Sequence, residues 1–192
     1  MYPSIVEFFA LVLFIGGLWH AARYQGRDFA QQWFIGAYLA ALIRETLNQI
    51  IFQVYIFSPD VLRIGAAPGL ITLLGAGITY IAYRFALRFV AATQPGWVAG
   101  LVFIIAASLA LPIEATAAQL HWWIYNEPLP VVFGGVPIAA LFVWGGSAAI
   151  FYVVFWRIRE SRLPERGKFY AMVTLAPVIA VGQLLLMVLL NA

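Results

Sequence analysis

Long apolar stretches alternate with short polar breaks along the whole chain. Six of them, over roughly 3–23, 30–57, 66–92, 97–124, 132–157 and 169–191, are long enough to cross a hydrocarbon layer about 30 Å thick as helices. The breaks carry turn and helix-stop residues: Tyr24 to Asp28 with Gly26, then Ser58-Pro59-Asp60 and the run to Pro68, then Gln94-Pro95-Gly96. Further on come Asn126-Glu127-Pro128 with Pro130, and a polar loop from Arg157 to Lys168. Asp28, two residues after a glycine, is placed to cap the second helix. The pattern predicts an all-α, polytopic membrane bundle forming one transmembrane domain over 1–192. The first stretch has no basic segment before it and no small-x-small site after it, so it is expected to be a retained helix and not a cleaved signal.

Charge adds direction. Arg23, Arg27, Arg84, Arg88, Arg157, Arg159, Arg162, Arg166 and Lys168 sit at one set of helix ends, nine of the eleven basic residues. The other set has Arg63, and Arg44 is inside a span. The positive-inside rule predicts an integral protein of a bacterial or archaeal cytoplasmic membrane, with the basic loops cytoplasmic and both termini outside.

Within this frame one block recurs. Residues 45–88 align without gaps on 114–157, 69 positions later. Glu45 falls on Glu114, Pro59 on Pro128, Gly65 on Gly134, Pro68 on Pro137, Gly77 on Gly146, Ile81 on Ile150, Tyr83 on Tyr152 and Arg88 on Arg157. Most of these are residue types that an apolar chain uses sparingly, so they predict a tandem duplication of a helix pair. Both copies begin on the same side, which makes the repeats parallel, related by an axis near the membrane normal. Each copy brings one glutamate to mid-membrane.

Composition narrows the chemistry. At 64% hydrophobic, 10% charged and mean hydropathy +0.92, no soluble domain of useful size remains. The absence of cysteine excludes disulfides, thiol catalysis and thiolate-bound metals. A net charge of +3 concentrated in loops argues for membrane topology and against nucleic acid as a partner. His20 and His121 belong to opposite membrane faces, which argues against a bis-histidine haem or metal site, and Lys168 lies in a loop, away from any buried Schiff base. No cofactor and no metal are expected.

A mid-membrane charge is expensive, about 2.5–3.5 kcal/mol on insertion scales, and usually faces a bundle interior. Arg44 and Glu45 lie together in the second span, and Asn48 and Gln49 share a helix face with Glu45 by i+3 and i+4 spacing, with Gln53 a turn further. In the fourth span Glu114 and His121 are two turns apart, with Tyr125 one turn beyond. These residues predict one polar pocket. The structural alternative is that Arg44 pairs with one acid and the other acid ties helices together, although such ties average only about 0.6 kcal/mol. If the pocket is functional, the acid beside Arg44 stays ionised and the other keeps a proton available for transfer. Trp122, Trp123, Tyr125 and Trp144 read either as an interfacial belt or as an aromatic wall for a cation; Trp144, deep in the fifth span, suits the wall.

Glu114, the run His121-Trp122-Trp123-Ile124-Tyr125, the run Phe133-Gly134-Gly135-Val136-Pro137 and Trp144-Gly145-Gly146 together resemble the membrane carotenoid hydratases, the family of bisanhydrobacterioruberin hydratase and the gamma-carotene hydratases. Glu45, Tyr55, Gly65 and Pro68 repeat the pattern more loosely in the first copy. The resemblance implies acid-catalysed hydration, or a related protonation or cyclisation, at a terminal double bond of an acyclic carotenoid, without a cofactor. It implies a catalytic set of Glu45, Glu114, Arg44, Asn48 and His121, with Gln49, Tyr55, Trp122, Trp123, Tyr125 and Trp144 against the substrate. The partners expected are a hydrophobic isoprenoid and membrane lipid. Two other functions fit the residues: a pigment- or lipid-binding subunit of a larger membrane complex, and a small proton-coupled transporter in which the two acids relay protons.

Overall fold

The computed structural model describes residues 4–126, 130–132 and 135–191. Pro3, Glu127, Pro128, Phe133, Gly134 and Ala192, each used above, lie outside the described residues. The helices are α1 (Ser4–Tyr24), α2 (Arg27–Leu47), α3 (Ile71–Ala86), α4 (Pro95–Leu120), α5 (Ile138–Glu160) and α6 (Glu165–Leu190). The all-helical expectation holds. Four of them, α1, α4, α5 and α6, are long and apolar enough to cross a membrane. α2 and α3 differ from the expected long spans. α2 includes Arg27, Asp28, Arg44 and Glu45 within 21 residues, and α3 has only 16.

The second and third stretches are shorter as helices because the chain between them is not helical. After Leu47 one π-helical turn, Asn48–Phe52, ends on Gln53 in the left-handed region at φ 48°. Short strands follow: β1 (Tyr55–Phe57), β2 (Arg63–Ile64) and β3 (Ala67–Pro68). α4 likewise ends on a left-handed residue, His121 at φ 52°, followed by β4 (Trp123–Tyr125), β5 (Val131–Val132) and β6 (Val136–Pro137). β2–β3 and β5–β6 are antiparallel hairpins, and Gly65 (φ 62°) and Gly135 (φ 78°) supply the left-handed conformation in their turns. β1 and β4 pair with each other, matching Tyr55 with Tyr125, Ile56 with Ile124 and Phe57 with Trp123. Two bonds close this ladder at its ends: Ser58 N–H donates to the Trp122 carbonyl at 2.9 Å and Asn126 N–H to the Val54 carbonyl at 3.1 Å.

The helices form a ring in the order α1, α2, α6, α5, α4, α3, with α2–α3 and α3–α5 meeting across the middle. One end of the ring is aromatic and basic. Trp33 stacks on Phe29 and Tyr83 and meets Phe151 and Phe155 edge-on, burying large apolar surface beneath the arginine-bearing helix ends. At that end Gln32, Arg159 and Glu165 tie α2 to α5 and α6, with Lys168 joining Glu165. The opposite end is closed by the β segments, where buried Glu7 accepts from Leu62 N–H at 2.7 Å.

Candidate functional site

Beneath the β1–β4 ladder lies a cavity of about 50 Å³ lined by residues of α2, α3, α4, α5, α6 and both strands. Arg44, Glu45, Tyr55, Glu114, Trp123, Tyr125 and Trp144 all face it. The two carboxylates are each only 3% exposed, so every polar bond they make has to come from the protein or from what enters the cavity.

The two acids have different surroundings. Glu45 Oε1 receives Arg44 Nη2–H at 2.6 Å and Nε–H at 3.0 Å, and the Tyr55 hydroxyl lies 2.8 Å from both carboxylate oxygens. Arg44 also donates to Ser147 Oγ on α5 at 3.2 Å. Charge-assisted bonds of this kind are shorter and stronger than bonds between neutral groups. Glu114 meets neutral donors: Trp144 Nε1–H at 2.7 Å on one oxygen and Trp123 Nε1–H at 3.1 Å on the other. The Tyr125 hydroxyl stands further off, at 3.4 and 3.5 Å. The phenols of Tyr55 and Tyr125, one against each acid, pack edge to face with ring centroids 5.4 Å apart.

The ends of α2 and α4 decide which side chains reach this cavity. Straight helices would have carried Glu45, Asn48, Gln49 and Gln53 along one face and put His121 below Glu114. Instead the π turn and the left-handed residues reverse the chain and bring the strands back over the acids. Asn48, fully buried, secures that reversal: its Nδ2–H donates to the Tyr55 carbonyl at 3.1 Å and its Oδ1 accepts from Val54 N–H at 3.0 Å. Gln49 donates to the same carbonyl at 2.9 Å. Neither lines the cavity: Asn48, expected in the catalytic set, and Gln49, expected against substrate, both bond the backbone of the reversal. His121 is an exposed helix cap and Trp122 is buried, and neither is among the residues that line the cavity.

Three contributors were not foreseen. Ser147 anchors Arg44. Thr72 and Asn191 line the cavity, and the Asn191 Oδ1 is a buried acceptor without a partner among the described residues. An orphan acceptor of this kind marks a place for a hydrogen-bonding guest such as water. The signal for Ser147 was present as a polar residue within an apolar helix; Asn191 reads in sequence only as a helix end. Among the described residues no cluster of metal-ligating side chains occurs.

No known protein family, no curated protein and no solved structure matches the chain.

Proposed function

We propose that this protein is a six-span membrane enzyme that hydrates a terminal double bond of an acyclic carotenoid or similar isoprenoid, as the resemblance to the carotenoid hydratases implies. The observation that carries the proposal is the unequal pair of buried acids in one cavity: Glu45 bound to a guanidinium, Glu114 bound only by neutral groups. Acid catalysis on an alkene needs this division, one carboxyl group that keeps a proton to give and one carboxylate that stabilises the positive charge that results.

In the reaction Glu114 transfers its proton to the less substituted carbon of the terminal C=C. The π bond supplies the electron pair, and the positive charge develops on the tertiary carbon. The rings of Trp123, Trp144 and Tyr125 and the charge of Glu45 lower the energy of that cation. A water held at Asn191 Oδ1 adds through oxygen, and its surplus proton returns to Glu114, which closes the cycle. One water is gained, nothing is oxidised or reduced, and no cofactor takes part. The volume suits the step, since a water needs roughly 10–15 Å³. About 50 Å³ admits a few waters; the branched end of the isoprenoid displaces all but the one that adds, and the rest of the polyene lies outside the cavity.

A duplicated origin and six spans belong to the same reading. Tyr55 and Trp123 take the same place in β1 and β4, and each donates to the acid of its own helix. Ser58 to Trp122 and Asn126 to Val54 are the same bond with the two halves exchanged. In this reading α2 and α3 also span, with Arg44 and Glu45 paired inside the ring, the basic ends cytoplasmic and both termini outside.

The test is incubation of the purified protein with an acyclic carotenoid in ¹⁸O-labelled water. A product heavier by one labelled water supports hydration. Unchanged pigment recovered in stoichiometric amount sinks it, in favour of a binding subunit.

A further inference from the structure

Along α1 and α3, lined by none of the residues around the acids, lies a second and larger cavity of about 530 Å³. Gly16 and Gly17 are among its lining residues, apolar side chains of both helices wall it, and its basic end is formed by His20, Tyr80, Arg84 and Arg88. A Cβ on Gly16 would meet nothing within 4 Å, so the trough is open there, whereas one on Gly17 would strike the Phe34 ring at 2.8 Å. His20 Nδ1 and the Tyr80 hydroxyl are 2.8 Å apart, which fixes both rings at the edge of the trough. Arg84 is half-buried and Arg88 exposed, and among the described residues neither makes an ion pair or a side-chain hydrogen bond. The other arginines with buried surroundings are satisfied: Arg44 by Glu45 and Arg159 by Glu165.

We infer that this cavity binds an anionic phospholipid, with its phosphate on Arg84 and Arg88 and one acyl chain in the trough over Gly16. Two unpaired guanidiniums at the mouth of an apolar channel are complementary to a group that is anionic at one end and hydrocarbon at the other. Guanidinium binds phosphate through paired N–H donors, and basic side chains at a membrane surface prefer anionic headgroups. The trough distinguishes a lipid from free phosphate, because a small anion would leave the apolar walls unfilled. This site is independent of the hydration chemistry.

The experiment is a native mass spectrometry titration of the detergent-solubilised protein with phosphatidylglycerol, phosphatidylcholine and sn-glycerol 3-phosphate. The inference expects retained phosphatidylglycerol, much weaker phosphatidylcholine and no glycerol phosphate. Arg84→Gln and Arg88→Gln should each weaken phosphatidylglycerol about fivefold. Gly16→Leu fills the trough without a backbone clash and should abolish retention with both arginines intact. Circular dichroism shows that each variant is folded. Equal retention of the two lipids, binding of glycerol phosphate alone, or unchanged binding in folded Gly16→Leu and in the folded arginine variants would each overturn the inference.

Discussion

Tyr55 and Tyr125 face each other across the β1–β4 ladder, ring centroids 5.4 Å apart, and their hydroxyls point at two different buried glutamates. The pair is not balanced. Tyr55 sits 2.8 Å from Glu45, while Tyr125 stays 3.4 Å or more from Glu114. Tyr55→Phe should therefore destabilise the protein by about 1–3 kcal/mol, because it leaves a buried carboxylate short of a donor. Tyr125→Phe should cost less than half as much. Thermal unfolding of the two variants in the same detergent gives the comparison.

Arg44 and Glu45 form a buried ion pair, with side chains 15% and 4% exposed. Removal of one partner strands the other. Arg44→Met alone should cost about 3–5 kcal/mol, whereas Arg44→Met with Glu45→Met should recover a large part of that loss. A double-mutant cycle of unfolding free energies measures the coupling, and strict additivity would show that the two charges do not depend on each other.

His121 holds the left-handed conformation that ends α4. A left-handed conformation costs an ordinary residue roughly 1–2 kcal/mol, and glycine escapes that cost. His121→Gly should leave hydration unchanged and stability equal or higher, while His121→Val should lower stability by about 1–2 kcal/mol. A melting curve and a turnover assay on both variants decide the matter; loss of turnover in folded His121→Gly would restore a chemical role to the imidazole.

The cysteine-free chain is its own background for topology. With the basic ends cytoplasmic, Asp60→Cys in the β1–β2 loop should react with a membrane-impermeant maleimide on intact cells. Thr93→Cys, between α3 and α4, should react only after permeabilisation. The reverse pattern contradicts the orientation.

The acids were legible in the sequence because a charge in a long apolar stretch has few physical excuses. Their surroundings were less so, and the reason is local. Counting helical faces from Glu45 to Gln53, or from Glu114 to His121, assumes that the helix goes on. Both helices instead stop on a left-handed residue, and neither Gln53 nor His121 is the glycine that usually announces such a stop. Under the proposed duplication, the ungapped offset of 69 hides two compensating differences. Gln53 and His121 are 68 apart, because the π turn after Glu45 takes up one extra residue. The longer turn between β5 and β6 restores 69 at Pro68 and Pro137. With the shift applied, Tyr55 stands over Trp123 instead of Ile124, and the common donor to each acid comes into view. The strands escaped notice because two- and three-residue segments among Pro and Gly read as loop. Asn191 escaped because an amide at a helix end is ordinary until its neighbours are known.

The central claim is that Glu114 delivers the proton. Glu114→Gln keeps the shape of the side chain and removes the transferable proton. The decisive measurement is the mass spectrum of pigments from a host that makes acyclic carotenoids, carrying either the unmutated protein or Glu114→Gln at equal membrane levels. The account predicts carotenoid heavier by one water with the unmutated protein. With Glu114→Gln it predicts only the parent carotenoid, still co-purifying with the protein. Hydrated product at undiminished yield from Glu114→Gln, or none from the unmutated protein, would contradict it.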